Sequence, residues 1–151
     1  MSRYLLDANV FIEAKNRHYG LDFCPAFWDW LLRENQTGRV FSIEKVRNEL
    51  TPGADELAQW ASERGSEPFL PPDAAMLPAL SRVSQWADSQ GFQSPAVSTF
   101  LEGADYYLAA YALAHDFVVV THEVPANSAK RIKIPNACFG LGVKFLNTFD
   151  L

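Results

Sequence analysis

The 151-residue chain is 48% hydrophobic and 21% charged, which is enough apolar material for one buried core and too much for a disordered protein. Its net charge of −5 excludes the broad basic surface of a protein that coats nucleic acid, but not a nuclease, because a metal site assembled from carboxylates makes the sum negative by itself. No apolar run approaches the ~20 residues of a membrane span and no basic N-terminal region leads into a long apolar stretch, so the expectation is a cytoplasmic protein with Cys24 and Cys138 as reduced thiols.

Tyr4-Leu5-Leu6 runs straight into Asp7, with Asn9 two positions on. A short, continuously apolar run closed by a polar break is the pattern of a strand buried on both faces. Open α/β sheets take ligands at the carboxyl ends of such strands. Asp7 is therefore expected at a cleft, where an unpaired charge is costly and a carboxylate usually holds a cation or moves protons. A helix is expected from Ala8 to about Lys15 and a turn over 16–20. Pro25 to Gln36 reads as a second helix, with Phe27, Trp28, Leu31 and Leu32 on one face and Gly38 marking its end. Val40 to Ile43 reads as a short buried strand. Ser42 is a candidate cap for the helix that follows, which carries Val46, Glu49 and Leu50 and ends at Thr51-Pro52-Gly53.

Asp55 to about Arg64 predicts an amphipathic helix with Leu57, Trp60 and Ala61 inward, and Pro68 to Leu70 a brief strand. Asp73 to Gln90 predicts a helix with Met76, Leu80, Val83 and Ala87 on one face. Pro78 inside it demands a kink or a later start. Gly91 to Pro95 is a break. Ala104 to Ala114 is a strong helix whose small residues permit close packing on a sheet, and Phe117 to Thr121 is the clearest buried strand. Asn127 to Arg131 reads as a helical turn or loop, Ile132 to Cys138 as one more strand with Pro135 arguing for an edge or a break, and Val143 to Leu146 as the last strand. Short apolar strands alternating with helices specify a parallel sheet covered on both faces, hence an α/β sandwich.

Four acids fall at or near the carboxyl edge of that sheet: Asp7, Glu49, Asp105 and Glu123. Each has an ordinary explanation by itself. Asp105 suits a helix N-terminus, Glu49 a solvated helix face, and Glu123 a loop. Asp7 is the hardest to dismiss, given its apolar approach. Like charges gathered in one cleft raise one another's pKa, and a divalent cation removes that penalty. Hard oxygen ligands select Mg²⁺ or Mn²⁺, and such ions support phosphodiester hydrolysis. The acid-free segment from Val124 to Phe149 carries Lys130, Arg131, Lys133 and Lys144, a candidate phosphate-facing edge or a solvated loop. Asp22, Asp29, Glu34, Glu102, His18 and His115 read as surface or structural residues. Gly140-Leu141-Gly142 lacks the flanking strand and helix of a dinucleotide site.

Leu5-Leu6-Asp7-Ala8-Asn9, Val46 with Glu49-Leu50, Gly103-Ala104-Asp105 with Ala109-Ala110 and Ala112, and Val119-Val120-Thr121 followed by Glu123 together resemble a PIN domain. The similarity is greatest to VapC-like toxin ribonucleases and extends from Tyr4 to Leu151. It implies a single PIN-like domain over 1–151, built as a three-layer α/β/α sandwich with a mainly parallel central sheet. It also implies an Mg²⁺- or Mn²⁺-dependent endoribonuclease acting on RNA, blocked by a cognate antitoxin of a type II toxin–antitoxin system and usually forming a homodimer. Asp7, Glu49 and Asp105 match the family's metal-binding acids, and Asn9 and Thr121 its supporting polar residues. The fourth acid departs from the pattern: Thr121-His122-Glu123 has glutamate where aspartate is more common, and the extra methylene favours contact through water. The tryptophan-rich stretch at about 55–95 is longer than in a minimal member and implies a helical protrusion that grips antitoxin, RNA or a second subunit. The competing readings are a non-catalytic PIN-like module that binds RNA or protein, and a phosphatase with Asp7 as nucleophile. Asn9 disfavours the second, because haloacid-dehalogenase-like enzymes carry an acid at that position.

Overall fold

The computed structural model describes residues 2–13, 25–51, 56–64 and 68–147. Five short strands form one parallel sheet: β1 (Tyr4–Leu6), β2 (Val40–Ile43), β3 (Phe69–Leu70), β4 (Val118–Val120) and β5 (Phe145–Leu146). Their order is β3-β2-β1-β4-β5. Tyr4 stands opposite both Val40 and Val118, and Leu6 opposite Val120. Leu5, Leu6, Val119 and Val120 are at most 1% exposed, which is why these strands carry no alternation of polar and apolar residues.

Eight helices flank the sheet among the described residues: α1 (Ala8–Glu13), α2 (Pro25–Gln36), α3 (Glu44–Leu50), α4 (Glu56–Arg64), α5 (Met76–Ser89), α6 (Ser94–Glu102), α7 (Ala104–His115) and α8 (Ile134–Leu141). The chain builds outward from β1 to β2 and β3, then returns through α5, α6 and α7 to lay β4 on the other side of β1. That reversal puts the topological switch between β1 and β4, where open sheets of this kind take ligands. Leu108, Ala109, Ala110 and Ala112 of α7 are buried, so their small side chains bring this central helix close to its neighbours, α5 among them.

The fold is the expected α/β class, but several local expectations change. Pro78 lies in the first turn of α5, where proline has no hydrogen bond to forfeit. Ser42 caps no helix: it sits inside β2, and its hydroxyl donates to the Leu6 carbonyl at 2.7 Å. The segment read as a strand over 132–138 is helix α8, with Pro135 inside its first turn. Helix α6 was not anticipated; it too has a proline, Pro95, near its start. The described residues of the stretch at about 55–95 contribute to both the sheet and the core. They supply β3 to the sheet and bury Leu57, Ala61, Phe69, Met76, Ala79, Val83 and Ala87. Trp60 packs within 6.3 Å, ring to ring, of Phe11, Trp28 and Phe69. Trp60 thus fills space between α1, α2 and β3. The expected turn at 16–20, His18, Asp22, Phe23, Cys24 and the side chain of Phe27 lie outside the described residues.

Candidate active site

Asp7 leaves β1 at its carboxyl end and is 4% exposed. Its backbone N–H donates to the Val120 carbonyl at 3.0 Å, which extends the β1–β4 ladder by one residue and fixes where the side chain emerges. The Thr121 hydroxyl donates to Asp7 Oδ2 at 2.8 Å. The same hydroxyl accepts the Glu123 N–H at 3.1 Å. Asn9 Oδ1 accepts the His122 N–H at 3.3 Å, so the amide two positions after Asp7 ties α1 to the loop that leaves β4. His122 thereby has a defined place in the loop through its backbone.

Glu49 projects from α3 and accepts the Ala104 N–H on Oε1 at 3.0 Å. Gly103 has no side chain to cap α7, and a glutamate 55 residues away in sequence does so instead. Asp105 stands in the first turn of α7. Glu123 is held at both oxygens: Arg131 Nη2 donates to Oε1 at 3.0 Å and the Ile134 N–H, at the start of α8, to Oε2 at 3.1 Å. Two of the four acids therefore also serve as helix caps across the fold, a use invisible in local sequence.

The electrostatics tie the acids together. Burial pushes the Asp7 carboxyl up to about 6; the Thr121 hydrogen bond opposes this and the charge of Glu123 adds to it. Burial pushes Asp105 up to about 8, reinforced by the charges of Asp7, Glu123 and Glu49 and opposed by Arg131. The buried Cys138 thiol rises to about 12, first from burial and then from the charges of Asp7 and Asp105, so it is protonated and not a nucleophile. Among the described residues, nothing donates a hydrogen bond to the Asp105 carboxylate.

This donor set was tested against a divalent cation. A partly buried carboxylate without a donor, repelled by three others, is where a hard cation relieves a cost the protein otherwise bears. As placed, however, no three of the His, Cys, Asp and Glu side chains among the described residues stand close enough together to hold an ion. Glu49 is turned to Ala104, with Oε2 left over, and Glu123 to Arg131 and Ile134. Asp7 and Asp105 are the carboxylates whose charged form the site penalises, whereas Glu49 and Glu123 already accept hydrogen bonds from the fold.

Beside the acids opens a cavity of about 440 Å³ whose lining includes Glu49, Thr99, Asp105, Lys130, Arg131 and Ile132. Asp29 and Glu102 are exposed, as expected of surface acids. His115 pairs with Asp73 at 2.7 Å at the far end of α7 from Asp105. Gly142 is the left-handed C-cap of α8 at φ 73°, which accounts for that glycine without a nucleotide. Among the described residues, no helix is long and apolar enough to cross a membrane.

Comparison with known proteins gives a family and a fold. Residues 4–151 match the family described as "Domain of unknown function (DUF4411)". None of the curated proteins matches the sequence. Among solved structures, FitAcB from Neisseria gonorrhoeae is similar at 20% identity and a TM-score of 0.56, over 98% of this chain and 99% of that one. VapBC2 from Rickettsia felis, bound to a DNA fragment from its promoter, is similar at 14% identity and a TM-score of 0.60, over 95% and 97%. FitAB bound to an IR36 DNA fragment is similar at 20% identity and a TM-score of 0.58, over 98% and 96%. At these identities the likeness is one of fold, and that fold is the PIN-like α/β sandwich with a parallel central sheet.

Proposed function

This chain belongs to the DUF4411 family, and we propose that it is a metal-dependent endoribonuclease, the toxin of a type II toxin–antitoxin pair. The observation that carries the reading is the convergence of the acids on Asp105, whose carboxyl burial raises first and the charges of Asp7, Glu123 and Glu49 raise further. The antitoxin follows from the fold relatives, which are described as the complexes FitAB and VapBC2. A homodimer follows from the family resemblance and is checked by light scattering.

Asp7, Asp105 and Glu49 would hold Mg²⁺ or Mn²⁺, with Glu123 joining when it lets go of Arg131. When bound, the ion supplies charge neutralisation for the attacked phosphate and lowers the pKa of water. The chain's own residues do the rest. Thr121 fixes the orientation of the Asp7 carboxylate through its hydroxyl. Glu49 docks the start of α7, and with it Asp105, against α3. In hydrolysis the oxygen of water bonds to phosphorus, the bond from phosphorus to a ribose oxygen breaks, a carboxylate of the cleft takes the proton that water gives up, and the departing ribose oxygen takes a proton from solvent to become a hydroxyl.

The test is Asp7→Asn. Loss of RNA cleavage and of growth inhibition, with the fold retained by circular dichroism, supports the reading; cleavage by the folded, pure variant sinks it. A second reading, a non-catalytic module that binds RNA or protein, is favoured by the capture of both Glu123 oxygens. Manganese discriminates the two. A thermal shift present in the wild type and absent in Asp7→Asn supports a working site, and no response supports the module.

A further inference from the structure

We propose that Lys130 and Arg131 form a subsite for one backbone phosphate of RNA beside the acids, in which Arg131 exchanges the Glu123 carboxylate for the phosphate. This rests on the ribonuclease reading and names the residues by which that site grips its substrate. An RNA strand approaching Asp7, Glu49, Asp105 and Glu123 meets a concentration of like charge, so fixed cations at the rim are needed to bring it in. Lys130 and Arg131 supply them, on the lining of the same cavity as Glu49 and Asp105.

The loop that presents them is built rather than slack. Asn136 clamps its near end with a reciprocal pair: the Ala126 N–H donates to Asn136 Oδ1 and Asn136 Nδ2 donates to the Ala126 carbonyl, both at 3.0 Å. The Gln93 N–H donates to the Ala129 carbonyl at 2.8 Å, which fastens the loop to the start of α6. Ser128 Oγ accepts the Lys130 N–H at 3.2 Å. Ile132 is buried. The backbone is thus held on both sides of two basic side chains that are left to solvent.

Arg131 is 66% exposed and spends one nitrogen on Glu123, which is itself only 16% exposed. A guanidinium has five donors in a fork that matches phosphate oxygens, so Arg131 retains capacity for an anion. Among the described residues the Lys130 ammonium forms no hydrogen bond or ion pair. Moving Arg131 to a phosphate frees Glu123 Oε1 while the Ile134 N–H keeps Oε2, so substrate capture and release of one oxygen of the fourth acid become one event.

The experiment measures binding of a fluorescent single-stranded RNA to Asp7→Asn protein by anisotropy, across a salt series. Lys130→Ala and Arg131→Gln are each added to that background, and circular dichroism confirms the fold. Each addition is expected to weaken binding about three- to tenfold and to reduce the magnitude of the salt slope by about 0.7, the value of one phosphate contact on a single strand. Lys130→Ala removes no contact of the fold and keeps the test decisive if Arg131→Gln loosens the loop. An unchanged affinity and slope in both variants would overturn the subsite while leaving the ribonuclease reading intact. Loss of polyglutamate peptide binding without loss of RNA binding would overturn it in favour of a protein partner. Absence of RNA binding by Asp7→Asn protein would overturn the subsite together with the reading beneath it.

Discussion

The Thr121 hydroxyl donates to Asp7 Oδ2 at 2.8 Å while accepting the Glu123 N–H at 3.1 Å. One buried oxygen thus couples the acid after β1 to the acid after β4. Without it Asp7 would lose the hydrogen bond that opposes the effect of burial on its carboxyl. Thr121→Val keeps the shape and removes both bonds. It is expected to weaken manganese binding about 10- to 100-fold, the usual effect of losing a group that orients a ligand, as read from the thermal shift against Mn²⁺ concentration. An unchanged titration would show that Asp7 needs no such support.

The metal-free protein should lose stability as pH rises. Asp105 has its folded-state pKa raised from 3.8 to about 8 and Asp7 from 3.8 to about 6. Between the unfolded and folded values the native state holds more protons than the unfolded chain, so stability is fullest below pH 4 with respect to these groups and declines through about 6 and 8. Asp105→Asn removes the larger part. At pH 8 it is expected to unfold several degrees above the wild type in chelator, and the two should converge near pH 4. Manganese binding runs the other way and tightens over the same interval, because its ligands must be deprotonated.

Ser42 separates structure from chemistry. It is fully buried in β2 and its hydroxyl satisfies the Leu6 carbonyl beside Asp7. Ser42→Ala leaves that carbonyl without its partner and is expected to cost about 1–3 kcal/mol, measured by urea denaturation. All four acids are retained, so metal binding should persist. If stability is unchanged, that carbonyl finds another donor.

Gly140 marks the close approach of α8 to α5. A side chain there would occupy the space of the Trp86 indole, a ring that also packs 5.7 Å from Phe92. Gly140→Ala is therefore expected to destabilise by about 1–3 kcal/mol through overpacking. Because the start of the same helix holds Glu123 through the Ile134 N–H, a weakened manganese shift should accompany the loss. A neutral substitution would mean that Trp86 swings aside freely.

Local pattern was enough for the five strands of the sheet and for α2 and α7, although it added a strand over 132–138 where α8 stands. An apolar run that ends in a carboxylate carries its own reason, since burial on both faces leaves a charge only one place to go. Strand order was not so written, yet β4 beside β1 is what brings Thr121 to Asp7. Proline misled the reading of α8, because Pro135 ends a strand and begins a helix with equal ease, and what decides is Glu123 accepting the Ile134 N–H. Trp60 reads as inward from its helical spacing, but which rings it meets, Phe11 and Phe69, is written nowhere near it in the chain. Composition and periodicity thus determined which residues are apolar, helical or charged. Only the tertiary structure decided which carboxylates cap helices and which remain without a donor in the cleft, because a hydrogen bond depends on distance in space and is indifferent to distance along the chain.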